Sequence, residues 1–428
     1  MTKKILTVFE DRYSQQKLTD LQKKELLSLE SLLGKQNLIL RADDWLLVRK
    51  YVGFIATPSL QIQILPKLFE DSVSTEDVEK EKLLSVRMLF RLLSDSGFLS
   101  IKDIPNPQQI AMMNGDLLEI FISIFTKKFL ELFHKQIYRQ YEECEENMVM
   151  VKGRIMFQQQ LLRNGFLKHK HFVSYQEFTE NNLLNQIFKS TMNSLRVLTK
   201  SDENKKNLNM AIMLLEDIQY VRLSKSLFDQ VRFNRLNESY QPLFQLARMF
   251  YHNRQPGIHS GDERTFTFLV PLNQLFEYTL YQWIHEGLSE EGLEVNYQKP
   301  QRFLDSHNDV FLLKPDITIQ TQATMQMIVD AKYKNPVSDS KVDLSEPDVY
   351  QMLAYAVRYQ CNRLFLVYPM FRSNKELNNP LASYVIRNGD ENIHISAMQV
   401  DISSENLTST KRELVQAIRN QCDFTLFK

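Results

Sequence analysis

The sequence has little of what usually gives a protein's class away. Three cysteines in 428 residues, Cys144, Cys361 and Cys422, are too few and too scattered for a disulfide framework or a zinc ribbon. They are expected to be reduced thiols. With 11 glycines, 13 prolines and no biased tract, collagen-like and low-complexity classes are excluded. No window approaches the roughly 20 consecutive apolar residues of a membrane span. Near the start, Glu10 and Asp11 interrupt what a signal peptide would need as an apolar stretch. The expected location is the cytoplasm. A charge of one sign is missing too: Lys plus Arg and Asp plus Glu both number 52. Proteins that grip nucleic acid by charge alone are usually basic. A DNA-binding role would therefore need local patches, a metal or a partner. No Gly-rich phosphate loop of the G-x-x-x-x-G-K-[ST] kind occurs. The eight histidines show no zinc spacing, and no Ser-His-Asp arrangement is visible.

What is present is ordinary globular material, 43% hydrophobic and 24% charged, enough for two or three domains. Residues 37–66 (NLIL, WLLV, YVGFIA, LQIQIL) read as short strands, punctuated by Asp43-Asp44 and Thr57-Pro58-Ser59. From about 83 to 143 the pattern turns helical, with apolar residues recurring at helix spacing again over 116–141, and LLEIFISIF reads as a buried helix. Residues 149–162 suggest a strand and then a helix, with Gly153 and Arg154 between. Helices are expected at 181–198 and 206–219, with DENKK at 202–206 as a polar turn, and a loop at 254–265. Beyond it, strands and helices alternate, the mark of a separate α/β unit.

That last third carries the chemistry. FLLKPDITI (311–319) and MQMIVDAKY (325–333) read as buried strands joined by the short turn QTQAT. A symmetric hairpin centred on Ala323 puts Asp316 opposite Asp330 and Lys314 opposite Lys332. Directly opposed side chains lie roughly 4.5–5.5 Å apart at Cβ. The strand period of two puts Asp330, Lys332 and Lys334 on one face. Two acids and several lysines make a poor core, because buried unpaired charge is costly. A divalent metal between the acids and a phosphate near the lysines would relieve both problems. Hard carboxylate oxygens suit Mg²⁺, and an ammonium at Lys332 could stabilise developing phosphate charge. A solvent-facing hairpin with ordinary charges is the plain alternative, since D-x-K alone is common. The surrounding elements favour a site. PLNQLFEYTLYQWIHEGL (271–288) is an amphipathic helix with Glu277 at the border of its apolar stripe. PDVYQMLAYAVRY (347–359) is a helix with Gln351 and Tyr355 on one face, and RLFLVYP (363–369) is the strand after it.

The series LNQLFE, KPDI, VDAKYK and DVYQMLAYA resembles the PD-(D/E)xK nuclease superfamily, and Gln351 with Tyr355 is similar to a feature of its RecB-like branch. More narrowly, the chain resembles the McrC family, the nuclease subunit of McrBC-type modification-dependent restriction systems. The segments YVGFIATPSLQIQILPKL, VKGRIMFQQQLLRN and YQEFTENNLLNQIFKSTMNSL add to that resemblance. It implies an α+β N-terminal region, β-rich and then helical (1–235), followed by an α/β restriction-endonuclease-like domain with a central mixed sheet flanked by helices (236–428). It implies Asp316, Asp330 and Lys332 as catalytic residues, Asp316, Asp330 and Glu277 as ligands of Mg²⁺, and Gln351 and Tyr355 as accessory residues. It also implies a partner: a McrB-like AAA+ GTPase hexamer that binds the GTP, brings double-stranded, modified DNA, and docks on the N-terminal region. Arg154 is a candidate contact there, and equally a plain surface arginine. Two other readings stay open, a RecB-like nuclease of another DNA-processing complex and a non-catalytic ring-docking regulator.

Overall fold

In the computed structural model of the protein, residues 5–421 are described except 29–33, 58, 68–74, 99–106, 256–264, 290–291, 306, 322–323, 339–340, 390 and 405. Contacts divide the chain into two compact units. One is made of 1–117 together with 256–428, and the other of 118–255. The boundary read from the sequence, 235/236, falls inside the second.

Among its described residues the first unit contains two large sheets. In one, Ile5–Phe9, Gln61–Leu65, Tyr51–Ala56 and Thr265–Pro271 lie side by side in that order. Its apolar face is set by alternation: Leu6, Val8, Ile62, Ile64 and Ile55 share one core with Leu38, Leu46 and Val48. Gly53, opposite Leu269, has φ +135, and a Cβ there would sit on the Phe268 carbonyl. Glycine is the residue that permits this close strand approach. The strand Thr265–Pro271 leads directly into the helix Leu272–Leu288. That helix is fixed to the long N-terminal helix Thr75–Asp95 by the Trp283 indole N–H, which donates to Asp95 at 2.8 Å. The early strands predicted over 37–66 are present, at Leu38–Leu40, Leu46–Val48, Tyr51–Ala56 and Gln61–Leu65. Pro58, in one of the expected turns, lies outside the described residues.

The second sheet has six strands in the order Glu294–Tyr297, Ile317–Gln320, Met325–Ala331, Arg363–Pro369, Glu391–Val400 and Ala382–Asn388. The three strands at its centre run parallel and the outer pairs antiparallel. Parallel neighbours need a crossover. The helix Glu346–Tyr359, with Pro347 in its first turn, supplies it between Met325–Ala331 and Arg363–Pro369. Its Met352, Tyr355, Ala356 and Tyr359 bury against Ile328, Leu364, Leu366 and Ile395. Helix Leu272–Leu288 packs on Met325–Ala331 and Glu294–Tyr297.

The predicted hairpin register holds from Ile317↔Val329 to Ile319↔Met327, then slips at Gln320↔Met325. Ala323, its expected centre, lies outside the described residues. The first hairpin strand is shorter than expected. Val310–Leu313 leaves the sheet and pairs with Arg302–Asp305 in a separate two-stranded ribbon. Pro315 accounts for the break, since it cannot donate to a ladder.

In the second unit, Phe125, Phe129, Phe188 and Phe250 form an aromatic core among helices, which include Leu183–Leu198 and Gln241–His252. The segment LLEIFISIF is buried as expected. Two expectations are corrected. The helical run ends at Lys135, and Gln140–Met148 is a strand paired with His171–Thr179. The stretch 202–206 is no turn: it opens the helix Asp202–Met213, whose N-cap Ser201 accepts from the Asn204 amide. The expected loop at 254–265 lies mostly outside the described residues.

Candidate active site

The acids of the hairpin converge from two strand ends. Asp316 stands one residue before its strand, after the buried Pro315. One of its carboxylate oxygens accepts the backbone N–H of Ala331 at 2.9 Å. That bond ties it to the residue after Asp330. The amide of Gln298 donates to the Asp316 carbonyl at 2.8 Å, continuing the antiparallel pairing of Tyr297 with Ile317.

Asp330 is 1% exposed. The Lys332 ammonium lies 2.5 Å from its Oδ2, yet that oxygen receives no well-directed hydrogen bond. The ammonium also donates to Gln351 Oε1 at 2.8 Å. Gln351 donates onward to the Tyr355 hydroxyl at 3.0 Å, and Tyr355 to the Lys314 carbonyl at 3.1 Å. The chain from Lys332 through Gln351 to Tyr355 joins the hairpin to the crossover helix. Lys314, expected opposite Lys332, stands outside the paired register, which begins at Ile317. Its side chain is exposed and its strand has already ended.

Burial and repulsion govern the acids. Asp316 is pushed up to about 8, first by loss of solvent and then by the charges of Asp330 and Glu277. Glu277, on the helix Leu272–Leu288, is pushed up to about 7 by burial and then by Asp330. Burial also raises Asp330, against the pull of Lys332. Lys332 is itself raised: burial disfavours its charge, but the Asp330 carboxylate beside it outweighs that. It stays an ammonium at neutral pH.

Sequence reasoning passed over several neighbours. The Gln298 amide lies 3.3 Å from Glu277 Oε2. Asp348, buried, ion-pairs with Lys334 at 2.5 Å and accepts the Tyr368 hydroxyl at 3.2 Å. Asp348 stands three residues before Gln351 on the same helix, so i, i+3 spacing could have found it. Gln298 had no local signal; only the pairing of its strand with Ile317–Gln320 brings it in.

Among the described residues, no group of three or more His, Cys, Asp or Glu side chains is close enough to hold a metal ion. Glu277 is coupled to the two aspartates by charge without completing a three-acid ligand set. The described cysteines, Cys144 and Cys361, are free thiols; Cys422 lies outside the described residues. No helix among the described residues is long and apolar enough to cross a membrane.

The family model described as McrBC 5-methylcytosine restriction system component matches residues 46–369. The chain belongs to this family. The match takes in Tyr51–Ala56, Gln61–Leu65 and Thr265–Pro271 of the first sheet, the whole of the second unit and every residue of the acid cluster. Among curated proteins, the chain is 24% identical over 295 residues to the type IV methyl-directed restriction enzyme EcoKMcrBC of Escherichia coli (strain K12), covering 64% of this chain and 82% of that one. Among solved structures it is similar to a chain of the Thermococcus gammatolerans assembly of McrB AAA+ hexamers with bound McrC. The TM-score is 0.73 at 19% identity, over 97% of this chain and 100% of that one. A chain of the cryo-EM structure of the Thermococcus gammatolerans McrBC complex matches with TM-score 0.50 at 22% identity, over 67% and 88% of the two chains. At these identities the structural likeness establishes a shared fold.

Proposed function

We propose that the chain is the McrC-type endonuclease subunit of a McrBC restriction complex, working in the cytoplasm with a McrB-like AAA+ GTPase hexamer and cleaving DNA by metal-dependent phosphodiester hydrolysis. The observation that carries this is the meeting of Asp316, Asp330 and Lys332 at the open ends of two sheet strands, within a chain of the McrBC family. A PD-(D/E)xK reading assigns each a role.

The donor set suits a hard divalent ion such as Mg²⁺, which takes one or two carboxylates and fills its remaining positions with water and phosphate. The buried Asp330 Oδ2 without a directed hydrogen bond and the raised Asp316 are what such a site is expected to look like without its cation. Asp316 and Asp330 would hold the ion. When bound, it would supply Lewis-acid neutralisation at the phosphate. Lys332 presents a fixed positive charge to the phosphoryl oxygens, and Gln351 with Tyr355 keeps that ammonium from turning away. Glu277, pushed up to about 7, can hold or pass on a proton beside Gln298. With no G-x-x-x-x-G-K-[ST] loop in the sequence, the motor is assigned to the partner.

Docking falls to the N-terminal region, 1–235. Supporting this, a stretch of its residues exposes apolar side chains, including Val149, Met150, Phe157, Leu162 and Phe166. Exposed apolar surface of this kind marks interaction sites. Arg154 is exposed among them. The test is reconstitution with a McrB-like GTPase: DNA should be cut only with GTP and a divalent ion present. Cutting in a chelator would overturn the metal-dependent reading.

A further inference from the structure

Beside the acid cluster lies a cleft of about 330 Å³ with a different chemistry, at the small end of the roughly 300–1,000 Å³ of ligand sites. Its walls include the rings of Phe98, Tyr278 and Tyr297, and Gln274 stands among the lining residues. Phe98 is 54% exposed and Tyr278 36%. The Tyr278 and Tyr297 rings meet edge to face at 4.8 Å. None of the residues that line it is charged, so nothing there neutralises a phosphate or a carboxylate. A flat, neutral, aromatic ligand needs no such partner.

Tyr297 links this cleft to the proposed site. Burial pushes its hydroxyl up, and the charges of Glu277 and then Asp316 push it further. Its backbone lies opposite Ile317, the residue after Asp316. A phosphate at the acids would carry its own bases within reach of these rings. Bases inside a stacked duplex cannot enter such a cleft; an extruded one can.

We propose that the cleft between Phe98, Tyr278 and Tyr297 receives an unstacked nucleobase of the DNA strand whose phosphate lies at Asp316 and Asp330, an inference that rests on the nuclease reading above. Ring faces give the grip, and the Gln274 amide, exposed on the helix, can meet the base edge.

The experiment uses the full chain carrying Asp330→Asn, so that nothing is cut. Affinities are measured for an oligothymidylate and for an abasic sugar–phosphate polymer of equal length. Stacking on aromatic side chains gives a preference for the base-bearing polymer of about five- to a hundredfold. Tyr278→Leu, and Phe98→Leu independently, should reduce that preference severalfold and leave abasic binding unchanged. Tyr278→Phe should keep it, since the face and not the hydroxyl makes the contact. Thermal unfolding of each variant controls for folding. Equal affinity for the two polymers before the cleft is altered, including no binding of either, overturns the proposal. So does a preference that survives both leucine substitutions. Failure of the nuclease reading shows itself elsewhere: the Asp330→Asn chain would cut DNA normally in the reconstituted complex.

Discussion

The amide of Ala331 donates to the carboxylate of Asp316 at 2.9 Å. Through this bond the backbone of one hairpin strand fixes the acid at the foot of the other. The acid is therefore placed by the ladder and not by a flexible side chain, which is how a site gains precision.

Removing Asp330 or Lys332 should separate the two activities proposed for the complex. Asp330→Ala and Lys332→Ala are each expected to abolish DNA cleavage in Mg²⁺, because each takes away a group needed for the chemistry. Both should still bind the GTPase partner and stimulate its hydrolysis. Cut DNA and released phosphate are read on the same reconstituted complex. Wild-type cutting by both variants would remove the assignment.

Gln351 holds the Lys332 ammonium at 2.8 Å, so its loss should act on the rate. Supporting residues of this kind typically cost 10–100-fold when mutated. Gln351→Ala is expected to lower kcat by about that factor with KM little changed, and Tyr355→Phe to lower it less. A rise in KM at unchanged kcat would place Gln351 in substrate binding instead.

The acid cluster should make the metal-free chain sensitive to pH. Asp316 sits near 8 and Glu277 near 7 in the folded chain, each above its ordinary value. The folded state thus keeps protons that the unfolded chain has released. Stability from these groups is full below their ordinary values and is lost as pH rises toward about 8. Asp316→Asn should flatten this loss. The measurement is Tm at pH 5 and 8.5 for both proteins, without divalent ions and with Mg²⁺. The ion should restore the wild-type Tm at the higher pH and do little for the variant. Parallel pH slopes in the two proteins would count against the buried-acid account.

Gly53→Ala should cost at least about 2–3 kcal/mol, through a strained backbone and a collision with the Phe268 carbonyl. Denaturant unfolding checks it; a change under about 0.5 kcal/mol, the usual size for surface substitutions, would mean the strands separate freely there.

The chain alone should cleave DNA poorly, because it has no P-loop motor to deliver duplex DNA and its net charge of zero keeps its hold weak. Robust GTP-independent cutting by the purified subunit would count against the McrBC-type role.

The sequence made the site legible where period and pairing are local. Asp316, Asp330 and Lys332 stand within one hairpin, and its register follows from alternation about a short turn. The Gln351–Tyr355 face follows from a four-residue spacing. What stayed hidden was non-local. Pro315 broke the first hairpin strand, sending Val310–Leu313 to Arg302–Asp305. Asp348 was legible by helix spacing but not as a partner of Lys334 and Tyr368, which needs the parallel strand Arg363–Pro369 in place. In the second unit, Gln140–Met148 carries Glu142, Glu143, Glu145 and Glu146, a composition that hides a strand because only its long pairing with His171–Thr179 makes it one.

The strand Tyr51–Ala56 waits on the ribosome for its neighbour. Thr265–Pro271, which pairs with it, is made some 210 residues later, roughly 10–40 s at common synthesis rates. All of 118–255 is built in between. The segment holding the acids is therefore made last, after all of the region proposed to dock on the partner, and it completes the sheet that region begins. For the same reason, a fragment starting at 236 would bring Thr265–Pro271 with an open hydrogen-bonding edge, which invites self-association. The two roles are better parted by point substitution than by scissors.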